Sequence, residues 1–226
     1  MASLTWLGHA AFRLDTADGK RVYVDPWLGA RTTPDTEKSP ERADVIAVTH
    51  GHFDHAGDVV GIQQATGATV LGMVELIGWF TAQGVPEEKA IGFNKGGTVE
   101  AAGVRFTMTH AFHSSSAPDG SYAGEPAGFV VEADGTRIYF AGDTTVFGDM
   151  ALIARLYKPT VAVLPIGDHF TMGPAEAAVA LELLGNPRCI PGHWGTFGLL
   201  TGTPEKLASL TSAQVDRIQP GDTVEL

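Results

Sequence analysis

The sequence predicts an α+β protein in which two mixed β-sheets pack face to face and helices cover their outer faces. Apolar runs of strand length recur along the 226 residues, and each is closed by Gly, Pro, Asp or Asn. The chain also passes twice through the same order, first hairpin strands and then strand–helix units. Because a sheet that is apolar on one face must bury it against another layer, this order predicts a sandwich in one domain, residues 1–226.

The predicted strands are short and rich in β-branched residues, and two pairs of them are joined by tight turns. They are LTWLG, AFRLD, RVYVDP, DVIAVTH and ATVLG in the first half, then GVRFTMTH, GFVVEAD, RIYFAGD, TVAVLP and RCIPGH in the second. Asp18-Gly19 and Asp134-Gly135 each stand between two such runs. An Asp-Gly pair favours the two-residue turns that join antiparallel strands, so both positions predict hairpins.

Helical periodicity appears in four segments, at 56–66, 149–157, 174–184 and 204–210. Pro174 and Pro204 stand at the starts of the last two. A proline is tolerated at the first helical position because its missing N–H would have no partner there in any case. No linker rich in serine or glycine interrupts the chain, which agrees with one domain.

Composition excludes several classes of function. The formal net charge is −11 and there is no basic run, so the chain lacks the positive surface that nucleic acid requires. The single cysteine, Cys189, allows neither an internal disulfide nor a thiolate metal cluster. The first residues lack the basic and apolar parts of a signal peptide, and no apolar stretch is long enough to span a bilayer. We therefore expect a cytoplasmic protein that acts on a small molecule and does not insert into a membrane. The sequence is compatible with a monomer and with a homo-oligomer.

The densest chemistry lies in the ten residues THGHFDHAGD, which follow a buried strand. His50, His52, Asp54 and His55 form the pattern H-x-H-x-D-H. In an extended chain, His50 and His52 project to one side, whereas Asp54 and His55 fall at the turn into a helix. Imidazole and carboxylate ligands suit zinc, manganese or iron, and four of them can divide between two adjacent ions. A solvated loop that happens to be rich in histidine is the alternative.

Three later strand ends offer further ligands, because one segment cannot complete two coordination spheres. They are His113, Asp143 and His193, and each follows an apolar run beside small residues that allow close approach of the backbone. His110 competes with His113 as the ligand from its strand, and the small residues after His113 favour the latter. His110 is then a structural histidine at a strand end.

The order and spacing of these residues resemble the ligand set of the metallo-β-lactamase superfamily. The segments WLGHAAFRL, VDPWL, HSSS, GEPAGFVVE, AGDTTVFGDM and LPIGDHFTMGP resemble its small single-domain branch of metal-dependent hydrolases. That branch is similar to ascorbate-6-phosphate lactonase and, more distantly, to N-acylphosphatidylethanolamine phospholipase D. The resemblance covers nearly the whole chain.

The resemblance implies an αββα sandwich with a dinuclear metal site at one edge. One ion would be held by His50, His52 and His113, the other by Asp54, His55 and His193, and Asp143 would bridge the two. The expected cofactor is two divalent ions per chain, zinc or manganese, with iron and nickel as alternatives.

Such a site predicts hydrolysis. Two divalent ions can lower the pKa of a shared water from about 15.7 toward about 7, which gives hydroxide at neutral pH. Asp54 is expected to steer or accept its proton, and His113 or His193 to stabilise developing charge. Thiolate-containing β-lactamases use cysteine where this chain has Asp143, which argues against antibiotics as substrates. A small ester, lactone or phosphodiester is the predicted substrate.

Other residues and one other function are left open. His9 and Asp25 either orient the imidazoles through hydrogen bonds or are structural residues at a strand end and a turn. Asp168 and His169 either line the mouth of the site or cap the helix near Pro174. The alternative is a non-catalytic binding module of the same fold, in which the metals only stabilise the structure. Structural metal sites are closed, however, and seven ligands around two ions leave room for water.

Overall fold

The computed structural model describes all residues, 1–226, and consists of thirteen strands and six α-helices, joined by loops that include two short 3-10 helices. The strands are β1 (Ser3–Gly8), β2 (Ala11–Asp15), β3 (Arg21–Val24), β4 (Val45–Val48), β5 (Thr69–Met73), β6 (Ala90–Phe93), β7 (Thr98–Ala101), β8 (Val104–His110), β9 (Ala127–Ala133), β10 (Thr136–Phe140), β11 (Val161–Pro165), β12 (Arg188–Gly192) and β13 (Thr223–Glu225). The helices are α1 (Phe53–Ala56), α2 (Val59–Thr66), α3 (Val74–Ala82), α4 (Met150–Tyr157), α5 (Pro174–Leu183) and α6 (Pro204–Ala208).

The strands form two mixed sheets, as the sequence predicts. The first has the order β13-β1-β2-β3-β4-β5-β6, and the second has the order β12-β11-β10-β9-β8-β7. In the first, pairing is antiparallel from β13 to β3 and parallel from β3 to β6. In the second, it is antiparallel from β7 to β10 and parallel from β10 to β12. Each sheet therefore combines a hairpin part with a strand–helix part.

The main core lies between the sheets. Trp6, Phe12 and Tyr23 of the first sheet and Phe106 and Phe129 of the second belong to one continuous buried cluster. Burial of apolar surface at roughly 25 cal/mol per Å² is the main force that holds the two layers together. α2 and α3 pack on the outer strands of the first sheet, and α5 packs on β11 of the second. The αββα sandwich is thus confirmed.

Both predicted hairpins form, but their turns differ. Asp134 and Gly135 join β9 to β10 with φ angles of 49° and 80°, the left-handed pair that a type I′ turn requires. Between β2 and β3 only Gly19 has a positive φ, 82°, and its N–H donates to the Thr16 carbonyl. This second turn is therefore a longer loop than the Asp-Gly pair alone predicts.

Four elements were not predicted: β6, β7, β13 and α3. The residues of α3, VELIGWFTA, are almost all apolar, so they show no helical face against a polar background. β13 has three residues, which is too short for a periodic signal. The helix expected over 56–66 begins earlier and is divided into α1 and α2. None of the helices is long and apolar enough to cross a membrane.

The sheet topology places several carboxyl ends of strands at one edge of the sandwich. β4 of the first sheet ends there, and so do β8, β10 and β12 of the second, because the residues after all four ends come together. In open α/β sheets, ligands bind outside such carboxyl ends. This edge holds the residues that the sequence predicts as metal ligands.

Candidate metal centre

Three features shape the H-x-H-x-D-H segment: a buried strand before it, a neighbouring loop that packs closely on Gly51, and a short helix that begins within it. All four residues of β4 are buried, which fixes where His50 leaves the sheet. A methyl group on Gly51 would lie 2.6 Å from Cβ of Ala123, so only glycine lets the neighbouring loop pack here. His52 is extended, with φ −60° and ψ 148°, immediately before α1, which carries Asp54 and His55.

The three other predicted ligands arrive on loops of the second sheet. His113 follows β8, Asp143 follows β10 and His193 follows β12. Gly142, with φ 63°, turns the chain so that Asp143 enters the seam where strand ends of the two sheets meet. A methyl group on Gly142 would lie 2.7 Å from the Ala127 carbonyl oxygen. His193 is itself left-handed, with φ 53°.

The structure brings all seven predicted residues together, in two groups and in a third set, His50, His55 and Asp143, that has one histidine from each group. The ligand atoms of His50, His52 and His113 lie within 4.8 Å of one another, and those of Asp54, His55 and His193, together with His9, do the same. Asp143 Oδ2 lies 3.3 Å from His55 Nε2, 3.1 Å from His193 Nε2 and 3.6 Å from His113 Nε2. Asp143 thus lies near histidines of both groups.

Several buried atoms in these groups have no hydrogen-bond partner, which tests whether a cation fits. They are His55 Nε2, Asp143 Oδ1, and both ring nitrogens of His193. Asp143 Oδ2 is near His55 and His193, but these contacts lack hydrogen-bond geometry. A buried polar atom without a partner costs about 1–3 kcal/mol, so native proteins rarely leave several in one place. Imidazole nitrogens and carboxylate oxygens directed at one another are the donor set of a divalent metal.

The pKa values in the site fall into two kinds. Burial lowers the pKa of His50, His52 and His113, so these rings are neutral, which is the form that binds a metal. Burial alone would also lower the pKa of His193, but the Asp143 carboxylate raises it to about 9. The same carboxylate also raises the pKa of His55. A divalent cation here would take the place of the protons on these two rings.

Asp25 orients one of these histidines. Its Oδ2 accepts hydrogen bonds from His55 Nδ1 at 2.9 Å and from the Thr49 hydroxyl at 2.7 Å, while Oδ1 accepts from the Thr49 N–H at 2.8 Å. The bond to Nδ1 leaves His55 Nε2 directed at Asp143. The orienting interpretation of Asp25 is therefore the one that the contacts support.

His9 performs the same task for Asp54. Burial lowers the pKa of His9 to about 4, so the ring is neutral and carries one N–H. Its Nε2 lies 2.9 Å from Asp54 Oδ2 and its Nδ1 lies 2.9 Å from the Thr196 hydroxyl. Since the carboxylate only accepts, Nε2 donates to Asp54 and Nδ1 accepts from Thr196. The His9 carbonyl also accepts from the His193 N–H at 2.8 Å. Sequence reasoning missed Thr196, because no local pattern marks a contact across 187 residues.

The two groups face an open cleft of about 520 Å³. The residues that line it are His52, Phe53, Asp54, His113, Ser114, Asp143, Phe170, His193, Phe197 and Leu199. A second cavity behind Asp143, of about 20 Å³, has room for about one water and none for a substrate.

Other candidates lie outside the cluster. His110 packs on Phe112 and contacts Lys95 Nζ at 2.9 Å through Nδ1, so it belongs to neither ligand group. Asp168 and His169 do not line the cleft, and Asp168 accepts a hydrogen bond from the His169 N–H rather than from α5. Cys189 is buried, and burial raises the pKa of its thiol, which makes it inert.

Comparison with known proteins identifies the family of this chain. Residues 20–194 match the model of the β-lactamase superfamily domain. The chain is 49% identical to a UPF0173 metal-dependent hydrolase of Herpetosiphon aurantiacus, over 97% of this chain and 96% of the relative. It is 44% identical to one of Methanosarcina mazei, over 99% and 98% of the two chains.

Solved structures give the same result for the fold. Igni18, a metallo hydrolase of Ignicoccus hospitalis, is 34% identical and superposes with a TM-score of 0.87 over 99% of this chain and 97% of its own. The metallo-β-lactamase fold protein YhfI of Bacillus subtilis, at 14% identity, superposes with a TM-score of 0.76 over 99% and 98% of the two chains, and this likeness concerns the fold alone. The chain therefore belongs to the metallo-β-lactamase superfamily, among its metal-dependent hydrolases.

Proposed function

We propose that this chain uses two divalent ions, held by the seven clustered residues, to hydrolyse a small ester, lactone or phosphodiester. The observation that supports this most is that the buried carboxylate of Asp143 lies within 3.6 Å of histidines from both groups, beside a cleft of substrate size. Residues 1–226 would act as one domain, and a cytoplasmic location stays a prediction from the sequence.

Each group would hold one ion. His50, His52 and His113 would hold the first, Asp54, His55 and His193 the second, and Asp143 would contact both. When bound, the two ions would lower the pKa of a bound water and polarise the carbonyl or phosphoryl oxygen of the substrate. Zinc and manganese suit these nitrogen and oxygen donors, with iron and nickel as alternatives.

We propose that Asp54 steers or accepts the proton of the attacking water. Its side chain is 15% exposed toward the cleft, whereas that of Asp143 is 4% exposed. One oxygen of Asp54 is held by His9, so the carboxylate keeps its orientation while a proton is transferred. His113 and His193 also line the cleft, where they can stabilise negative charge that develops on the substrate.

The alternative function is a metal-stabilised module without catalysis. A structural site is closed by protein ligands, whereas catalytic sites leave a position open to water or substrate. Five of the seven proposed ligands line the cleft: His52, Asp54, His113, Asp143 and His193. This exposure favours hydrolysis over a structural role.

Removal and return of the metal tests the proposed function. Protein treated with a chelator should lose turnover of p-nitrophenyl esters or of bis(p-nitrophenyl) phosphate. Addition of zinc or manganese should restore it together with about two ions per chain, because two ions share the water. Elemental analysis and turnover are measured on the same preparation. Less than one ion per chain contradicts the dinuclear site, and a fully loaded chain that hydrolyses neither substrate favours the non-catalytic alternative.

The choice between two histidines tests the ligand assignment. His113→Ala should lower the metal content and abolish turnover, since one ion loses a ligand. His110→Ala is the matched control and should keep both ions, because its ring contacts Lys95 and Phe112 instead. Metal content by elemental analysis distinguishes them. The reverse result would show that the wrong histidine was assigned.

Asp143→Asn tests the bridge. Asparagine keeps the shape but offers one neutral acceptor oxygen and no charge. We expect the protein to fold, one ion to bind more weakly, and kcat to fall by at least about 100-fold, the scale on which such groups contribute. Circular dichroism, metal stoichiometry and kcat are measured together. Near-normal turnover with both ions bound is incompatible with Asp143 as the bridge.

A further inference from the structure

The cleft has an apolar side that the metal chemistry does not require. Phe53, Phe170, Phe197 and Leu199 line it together with the ligand groups. Phe53, Phe170 and Leu199 are 56%, 50% and 54% exposed. Single apolar residues on a surface are common, but several that converge on one concave site indicate a binding surface. We name these four residues the apolar wall.

Two members of the apolar wall are held in place by a shared aromatic contact. The Trp27 ring packs edge-on against Phe53, with centroids 5.5 Å apart, and lies 6.0 Å from Phe197. Phe197 also contacts the ring of His9 at 5.4 Å. Phe53 stands between His52 and Asp54 in the chain, so its backbone is fixed by the ligand segment. A wall that is formed before binding loses little conformational entropy when a ligand arrives.

Phe170 is presented by a strained turn. Asp168 and His169, neither of them glycine, both have left-handed backbones, with φ 68° and 63°. The Phe170 N–H donates to the Asp168 carbonyl at 2.7 Å, and Met172 N–H donates to the carbonyl of Thr144, which follows Asp143. A backbone with two successive non-glycine residues in the left-handed region is rare, and such strain concentrates at functional sites. The strained turn places an exposed phenyl ring on the cleft.

Apart from the proposed ions, the cleft has little that would select an anionic substrate. No lysine or arginine lines it, whereas two carboxylates, Asp54 and Asp143, do. Arg31 is tied to the Thr196 carbonyl at 2.8 Å and is not part of the lining. Proteins that recognise phosphate supply arginine forks, lysines or helix N-termini. Recognition of a phosphodiester in this cleft would therefore rest on the proposed ions alone.

We infer that the substrate of this cleft is an uncharged carboxylic ester or lactone whose acyl chain or ring packs on the apolar wall. The inference rests on the proposed metal-dependent hydrolysis and narrows its substrate class. In the reaction, the oxygen of one water bonds to the carbonyl carbon, the carbon–oxygen bond of the ester breaks, and the departing oxygen takes a proton. A carboxylic acid and an alcohol leave, or one hydroxy acid from a lactone, and no further reactant is needed.

Binding tests the apolar wall without catalysis. Acetohydroxamic acid and octanohydroxamic acid carry the same metal-binding group and differ only in the apolar chain. For the metal-loaded protein, calorimetry should give an affinity for octanohydroxamate at least about tenfold higher, because several methylene groups are buried. Leu199→Ala and Phe170→Ala should reduce this ratio to below about threefold. Leu156→Ala changes another exposed leucine, on α4 outside the cleft, and is the matched control that should keep the ratio.

Turnover separates this inference from the proposed function. kcat/KM should rise at least about tenfold from p-nitrophenyl acetate to p-nitrophenyl octanoate, and should exceed that for bis(p-nitrophenyl) phosphate. Equal affinity for the two hydroxamates, or a preference for the phosphodiester with metals bound, overturns the apolar wall while hydrolysis stands. No turnover of any ester or phosphodiester by loaded protein contradicts the proposed function, and with it the substrate class, even where the chain-length preference in binding persists.

Discussion

The electrostatic balance around Asp143 is the interaction on which the rest of the site depends. Its side chain is 4% exposed and lies in the seam where strand ends of the two sheets meet. A buried carboxylate without positive partners would cost several kcal/mol. Burial would raise the pKa of Asp143, but His193 and His55 hold it well below its usual range. Since His55 comes from the first sheet and His193 from the second, this balance exists only once both sheets have formed.

The residues that turn the chain into this seam carry backbone strain. His9, Asp25 and His193 have φ angles of 51°, 48° and 53°, which non-glycine residues rarely adopt. Each such residue costs about 1 kcal/mol or more and persists only where its surroundings determine it. Here Asp25 holds Thr49 and His55, and the His9 carbonyl holds both the Trp6 indole and His193. Strain in the backbone and hydrogen bonds around the ligands thus form one structure that keeps the donor atoms directed inward.

The sequence predicted the sheets, and it marked the residues that cluster at the edge of the sandwich, because both leave local signals in the chain. Strand runs closed by turn residues are local signals, and His50, His52, Asp54 and His55 stand together in the chain. His113, Asp143 and His193 could be identified because each follows an apolar run. The contact of His9 with Asp54 and Thr196 could not be predicted in detail, because it depends on packing between distant segments. Nor could α3 be predicted, because its apolar residues leave no polar face. The left-handed turn before Phe170 could not be predicted either, because no residue type there indicates it.

The most direct measurement of the central claim is anomalous diffraction from crystals of the protein loaded with zinc, collected on both sides of the zinc absorption edge. The account predicts two anomalous peaks per chain. One should lie among His50, His52 and His113, the other among Asp54, His55 and His193, and the Asp143 carboxylate should contact both. A single peak, or two peaks of which neither contacts Asp143, would contradict the dinuclear site and its bridge.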